Sequence, residues 1–598
     1  MRVALALLCA LPLACAQRTK LNFDADWRFL LGDPRVPTCN ATAFAPLNGL
    51  QCLGFSDLPA AASAPACAAA CCALRGCNTW TWNPSAGCWA SGDQCSSFLN
   101  NSGWVGGART DPSPNPVCAP TDPCAVAYDD ASWRSLRVPH DYGVEAAFDP
   151  ALPAGKGALP KNTSWYRKTF TVPQAAQGSL IYLTFDGVFR AADVFLNGAF
   201  LLHHEEGYTS WTAWLHNASA PLLYGAPNVL AVFVDGTSPE LWSYEGMGIL
   251  RHVYLETAPQ LSIAPWSFFA PALVTGNISG TATTPQTADG AVLTPRVDLA
   301  NAGSAHATGT VLFSLRDATG AEVCNGSSAH FDLPPGGWAR LPASLPCGSS
   351  TAPVNLWNTA RGGAYLYTAT AQVVLDGGAL GDAASARIGL RSALFSPTQG
   401  FVLNGQKIVL RGFSNHVGFG GCGGAVPDRV VEFMLAAQLQ GMGGNAYRTA
   451  HNPVAPELLD FADEYGILVW EENRFITAGV QPQNRRGRAL AEAGVAPAPA
   501  PAGAPQAATG SSPPAPPPSV PLADPRLLQD AQDMVLRDRN HPSVFIWCAC
   551  APAWGCKRGS SRCSPLFNAA APLLHSPTHS HTRHTALHTR SSKCSSLQ

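Results

Sequence analysis

Residues Gly441–Arg474 read GMGGNAYRTAHNPVAPELLDFADEYGILVWEENR. After the glycine-rich turn, Asn445–Arg448 reads as a strand and Pro456–Tyr465 as a helix. Gly466 then separates the helix from a second strand at Ile467–Trp470. Before this stretch, Pro427–Gln440 places Val430, Val431, Met434, Leu435 and Leu439 at helical spacing, and Gly441 suits the helix end. Lys407–Arg411 (KIVLR) reads as the preceding strand. After the stretch, Asp524-Pro525 caps a helix carrying Leu527, Leu528, Ala531 and Val535. His541-Pro542 breaks it before a strand at Val544–Trp547. Alternating strands and helices imply a parallel sheet with crossover connections. The pattern suggests the opening of a (β/α)8 TIM barrel, with four strands of the eight visible.

Upstream, the period changes. Trp165–Val172, Leu180–Phe185, Ala192–Phe195 and Val229–Val234 are short strand-like runs separated by turn residues, as in an antiparallel sandwich. Leu21–Gly32 alternates like the start of the same domain. A second β segment contains candidate strands at Ala291–Leu299, Gly309–Leu315 and Ala364–Leu375, and has the size of one immunoglobulin-like sandwich. The expected organisation is multidomain β plus α/β. A jelly-roll-type sandwich spans residues 17–38 and 125–258. An immunoglobulin-like sandwich spans 261–395. The N-terminal half of a barrel spans 396–547.

Composition limits the function. The 598 residues carry a net charge of −2, and 13% are charged, against about 25% in an ordinary globular chain. No basic excess is present, which argues against nucleic acid as a partner. Arg2, the apolar run Val3–Leu13 and Ala14-Cys15-Ala16 read as a signal peptide over residues 1–16. That run is too short for a membrane span of about 20 residues. N-x-S/T sequons stand at Asn40, Asn100, Asn162, Asn217, Asn277 and Asn325. Half of the 20 cysteines lie between Cys39 and Cys124, a density typical of extracellular modules. A secreted or lumenal glycoprotein is expected. Ala496–Pro521 is a Pro/Ala-rich insertion, and 548–598 is a low-complexity tail with five histidines from His575 to His588.

Four stretches carry a family resemblance. They are Trp133–Asp141 (WRSLRVPHD), Gly207–Trp211 (GYTSW) with Gly248–Arg251 (GILR), Gly441–Arg474, and Arg537–Trp547 (RDRNHPSVFIW). The chain resembles glycoside hydrolase family 2, most closely its β-galactosidase-like members. The resemblance implies a retaining exo-glycosidase acting on β-linked glycans or oligosaccharides. Such enzymes use two carboxyls about 5 Å apart, one an acid/base and one a nucleophile. They sit where the barrel strands end. His416 and His451 would touch the sugar. Arg448 and Glu472 would hold the sugar or the active-site carboxylates, where the plain alternative is a buried ion pair. Asn415 and Asn452 stand beside them, and Asp141 and Glu245 on sandwich loops would reach the same pocket. No organic cofactor is implied. Some members use Mg²⁺, but the residues form no secure ligand set for it.

The resemblance breaks after Trp547. The family continues W-S-x-x-N-E, whose Glu is the acid/base. Here Cys548-Ala549-Cys550-Ala551-Pro552 follows, so Pro552 stands at the Glu position. No counterpart of the nucleophile is found. Family sequence is therefore expected to stop near Trp547, as an unspliced intron or shifted frame would cause, leaving the chain inactive as written. The alternative is a secreted, non-catalytic carbohydrate-binding protein.

The insert at residues 39–124 has its own pattern: Cys67-x3-Cys71, Cys72, Cys77, Trp80-Thr81-Trp82 and Cys88-Trp89. Ala66–Leu74 reads as a helix followed by two short strands. It resembles a PAN/apple module, in which case Trp80, Trp82 and Trp89 would pack the module or stack on sugars.

Overall fold

The computed structural model describes residues 18–34, 118–473 and 525–548, apart from 153, 155, 156, 218, 238–242, 282, 361 and 417. Between 35 and 117 it describes Ser63 and seven strands within residues 44–109. The expected signal segment at 1–16, the expected helix at 66–74, the side chains of Trp80, Trp82 and Trp89, the Pro/Ala-rich stretch and Pro552 lie outside the described residues.

Two antiparallel sheets share the first core. One runs Arg134–Leu136, Trp27–Leu31, Thr163–Thr171, Pro227–Asp235, Ala192–Leu196, Ala199–His204. The other runs Thr19–Asn22, Val253–Ala258, Leu180–Phe185, Trp211–Trp214. Leu21–Gly32 thus holds a strand in each sheet, with a turn at Asp26, whose φ is 59°. Trp27, Tyr166, Ile181, Leu183, Phe185 and Val232 fill the space between the sheets. Each such side chain contributes about 1.5–3 kcal/mol by burial. The larger sheet is covered outside as well, where Trp165, Phe195, Phe233 and Trp133 pack with Cys124. A disulfide joins Cys118 and Cys124 in that cover. Being covered on both faces, its strands read as apolar runs rather than strict alternations.

The second β segment alternates cleanly, as a sheet with one buried face does. Along Tyr367–Leu375 alternate residues are buried, and Phe313, Leu315, Tyr367, Ala371 and Val373 join one core. The expected strand Ala291–Leu299 is two strands, Gln286–Leu293 and Arg296–Asn301. Pro295 lies between them and has no N–H to give a ladder. A disulfide joins Cys324 and Cys347. In the cysteine-rich insert, five strands form one antiparallel sheet, centred on the hairpin Thr79–Asn83 and Gly87–Ser91. The hairpin supplies the two short strands expected after Ala66–Leu74, and the sheet adds Phe44–Pro46, Ser56–Leu58 and Val105–Arg109.

The third region has a parallel sheet, in the order β1 (Gly412–Asn415), β2 (Ala446–Thr449), β3 (Leu468–Glu472), β4 (Val544–Cys548). Helices α1 (Asp428–Phe433), α2 (Pro456–Tyr465) and α3 (Pro525–Asp538) make the connections. The first strand begins beyond the expected Lys407–Arg411. Gly412 lets it approach β2: a Cβ there would lie 1.7 Å from the Ala446 carbonyl oxygen. The expected helix Pro427–Gln440 is helical throughout, but from Met434 onward its turns are wider, of the π type. Gly466 ends α2 at φ 68°, a left-handed conformation that glycine adopts without steric cost. Leu435, Leu459, Ala462, Ile467 and Val469 form the core under the sheet.

The regions are stitched together by polar side chains. Arg18, ahead of the first strand, reaches Asp382 of the second β segment at 2.6 Å. Arg539 and Asn540, beyond α3, bond the carbonyls of Trp266, Ser267 and Phe268 at 2.8–2.9 Å.

Candidate functional site

Neighbouring residues of a strand point to opposite faces. In the parallel register Ser414 lies beside Arg448, and Arg448 beside Trp470. One face therefore gathers Ser414, Arg448, Trp470 and, two residues on, Glu472. Glu472 is fully buried. Its Oε1 accepts from Arg448 Nε at 2.7 Å, and its Oε2 lies 2.7 Å from His451 Nδ1. Arg448 Nη1 donates to Ser414 Oγ at 2.8 Å, and its guanidinium lies over the Trp470 ring at 5.5 Å. The Glu472 N–H donates to Thr449 Oγ1 at 2.8 Å, fixing the carboxylate's own backbone. The His416 ring meets His451 edge-on at 5.5 Å. Burial, helped by the neighbouring His451, holds the His416 pKa below its usual value. The lowering favours the neutral ring, which donates one hydrogen bond and accepts another.

Of the expected site residues, Arg448, His451, Glu472 and His416 come together. Asn415 and Asn452 line an adjacent cavity of about 60 Å³ against the first sandwich. Asp141 and Glu245 have contacts outside this cluster. The Asp141 carboxylate accepts from Gly143 N (2.9 Å), Tyr244 Oη (2.8 Å), Met247 N (3.1 Å) and Gly424 N (2.7 Å). It fastens a barrel loop to a sandwich loop. Glu245, buried, accepts from Tyr208 Oη through its carbonyl at 2.7 Å and lines a small cavity with Lys161 and Tyr244.

Two contributors were not singled out from the sequence. Ser414 and Thr449 hold the pair from each side, and their strand positions were the available signal. Glu471, beside Glu472, points to the helix layer. There it lies 3.7 Å from Arg537, which grips Asp538 at 2.6 Å. Burial, reinforced by Asp538, drives the Glu471 carboxyl well above the usual range. The pair Glu471-Glu472 therefore splits between the helix layer and the open face.

The open-face cluster brings guanidinium and imidazole N–H groups to one place, around a carboxylate whose two oxygens are already engaged. Such a set suits the hydroxyl oxygens of a polar ligand. Glycoside hydrolysis with retention needs a second carboxyl about 5 Å away. Among the described residues, Glu472 is the one carboxylate whose contacts place it in this cluster.

Comparison with known proteins gives the same direction. Residues 397–558 match the family model "Glycosyl hydrolases family 2, TIM barrel domain". The match runs 11 residues past Trp547 (558 − 547), so family similarity does not stop where the sequence reading placed its end. Beta-galactosidase BoGH2A of Bacteroides ovatus is 31% identical over 423 residues, covering 70% of this chain and 43% of the relative. A beta-galactosidase of Thermoanaerobacter pseudethanolicus is 26% identical, covering 64% of this chain and 44% of the relative. A solved family 2 glycosyl hydrolase from Bacteroides cellulosilyticus superposes with a TM-score of 0.55 at 25% identity, covering 71% of this chain and 49% of that one. The chain thus spans under half the length of these relatives. Together the similarities support glycoside hydrolase family 2 and a multidomain, strand-rich fold with a TIM barrel domain.

Proposed function

We propose that this chain is a secreted protein on the family 2 plan, and that the Arg448–His451–Glu472 cluster receives the terminal sugar of a β-linked glycan, a β-galactoside by preference. The clamp on Glu472 carries this reading. Engaged at 2.7 Å by Arg448 and again by His451, the carboxylate acts as an anchor that orients N–H donors for sugar hydroxyls. The β-galactosidase relatives support the sugar class. Two disulfides support an oxidising compartment. The two β regions fit a jelly-roll-type sugar-binding sandwich and an immunoglobulin-like linker domain, and the cysteine-rich sheet fits an apple-like module.

The chemistry stops short of turnover. By count from the Asn-His-Pro-Ser-Val motif, the acid/base position holds Pro552, whose side chain has no proton to give a leaving group. The chain as written binds glycan without cleaving it, and this observation favours the carbohydrate-binding reading over an active glycosidase. Nitrophenyl β-galactoside and β-glucuronide, offered to the full chain, are expected to bind saturably and release no nitrophenol. Arg448→Met should weaken binding at least tenfold. Turnover lost in Glu472→Gln would overturn the non-hydrolytic assignment. No binding of either glycoside would overturn the glycan assignment.

A further inference from the structure

At the seam between the first sandwich and the parallel sheet, three side chains converge from separate segments. His252 precedes the strand Val253–Ala258, Asp428 opens α1, and Glu457 lies in the first turn of α2. Their ligand atoms all lie within 4.8 Å of one another. His252 Nε2 is 3.1 Å from Asp428 Oδ1 and 3.9 Å from Glu457 Oε1. On the ring's other side, Nδ1 is 2.6 Å from Asp24 Oδ2. Asp24 is itself fixed by Asn22 Nδ2 at 2.7 Å and Val253 N at 2.9 Å.

Asp24 sets the tautomer. It accepts from Nδ1–H, so Nε2 is the ring nitrogen that faces the two carboxylates. Three acceptors then face one another, and a cation is needed among them. A proton on Nε2 is one solution and a metal ion is the other. Metal-binding histidines almost always donate their second N–H to a carboxylate or carbonyl, as here. A second observation comes from Asn452. It is 2% exposed and lines the same cavity of about 60 Å³ as His252, Asp428 and Glu457, and its Nδ2 has no hydrogen-bond partner. A metal-bound water would give that N–H an acceptor.

We propose that His252, Asp428 and Glu457 form a divalent-cation site that joins the sandwich to the barrel segment, with Asp24 as the positioning carboxylate. One imidazole and two carboxylates make a mixed N/O set suited to Mn²⁺ or Zn²⁺. Ca²⁺ prefers six to eight oxygens. His416 of the sugar cluster lines the same cavity, but the ligand set uses none of Arg448, His451 and Glu472 and does not depend on the glycan reading.

The test uses the full chain, stripped with chelator and titrated with Mn²⁺ by electron paramagnetic resonance. Mn²⁺ is chosen because the cysteines and histidines of the tail favour Zn²⁺. Wild type is expected to take up one more Mn²⁺ per chain than Glu457→Gln. Asp24→Asn should weaken that site about 10–100-fold. Comparison within the full chain cancels uptake elsewhere. Should Glu457→Gln unfold by circular dichroism, Asp428→Asn repeats the comparison, since the Asp428 side chain is 48% exposed. Equal Mn²⁺ uptake by wild type and a folded variant would overturn the proposal.

Discussion

His451 Nδ1 lies 2.7 Å from Oε2 of Glu472, while Arg448 engages the opposite oxygen, so one buried carboxylate orients two donors from the neighbouring strand and its loop. Removing the carboxylate should cost more than removing either partner. Breaking a buried pair costs about 3–5 kcal/mol when the remaining charge stays buried. Arg448 is partly exposed, so Glu472→Gln is expected to destabilise by about 1–3 kcal/mol. Urea denaturation of Glu472→Gln, Arg448→Met and the double variant measures the coupling. Strict additivity would show that the clamp carries no shared energy.

Stability should fall on the alkaline side in chelator-treated protein. The His252 pKa is raised from 6.5 to about 10, chiefly by the hydrogen bond to Asp24, with Glu457 and Asp428 adding. Because the folded value is the higher one, the stabilisation is complete below about pH 6.5 and is lost as pH rises toward 10. The groups facing the ring are Asp24, Asp428, Glu457 and Tyr254. The loss should amount to a few kcal/mol. Thermal unfolding from pH 6 to 10 reads it, and His252→Gln should flatten the slope. An equal slope in that variant would place the dependence elsewhere.

Arg251 is buried and joins the sandwich to the loop that carries His451. It donates to the Pro453 carbonyl at 2.7 Å and also to that of Tyr208. Arg251→Ala leaves both carbonyls without this donor and should destabilise by about 2–4 kcal/mol. Amide exchange at 450–454 should quicken more than exchange in the β strands. Uniform acceleration across the chain would mean that Arg251 acts only globally.

Leu459 is fully buried under the parallel sheet. Leu459→Ala should cost about 2–5 kcal/mol through lost burial and the residual cavity. A midpoint shift in denaturant with an unchanged slope is the expected signature.

Much of this was legible where one period dominates. Pro456–Tyr465 alternates at helical spacing with a proline start and a glycine stop, and the helix has those bounds. Lys407–Arg411 misled because β propensity favoured its branched residues, whereas pairing with β2 requires the close approach that Gly412 permits. Asp141 and Glu245 were expected to reach the site from sandwich loops. Apart from Gly143, their partners Tyr244, Met247, Gly424 and Tyr208 are far away in sequence, and no local pattern shows which donors will arrive. Arg448, His451 and Glu472 were nameable from their motif, but their shared clamp depends on the parallel register between strands.

The hydrogen bond from Gly424 N to Asp141 has a consequence for inheritance and engineering. A barrel loop takes its acceptor from a sandwich loop at 2.7 Å, just as the 450–455 loop takes a donor from Arg251. A loop transplanted from a relative would arrive without its matching anchor and leave buried polar groups unmatched. Specificity grafts on this scaffold should therefore move in pairs, one loop from each region, and a lineage that diversifies one is constrained to drift in the other.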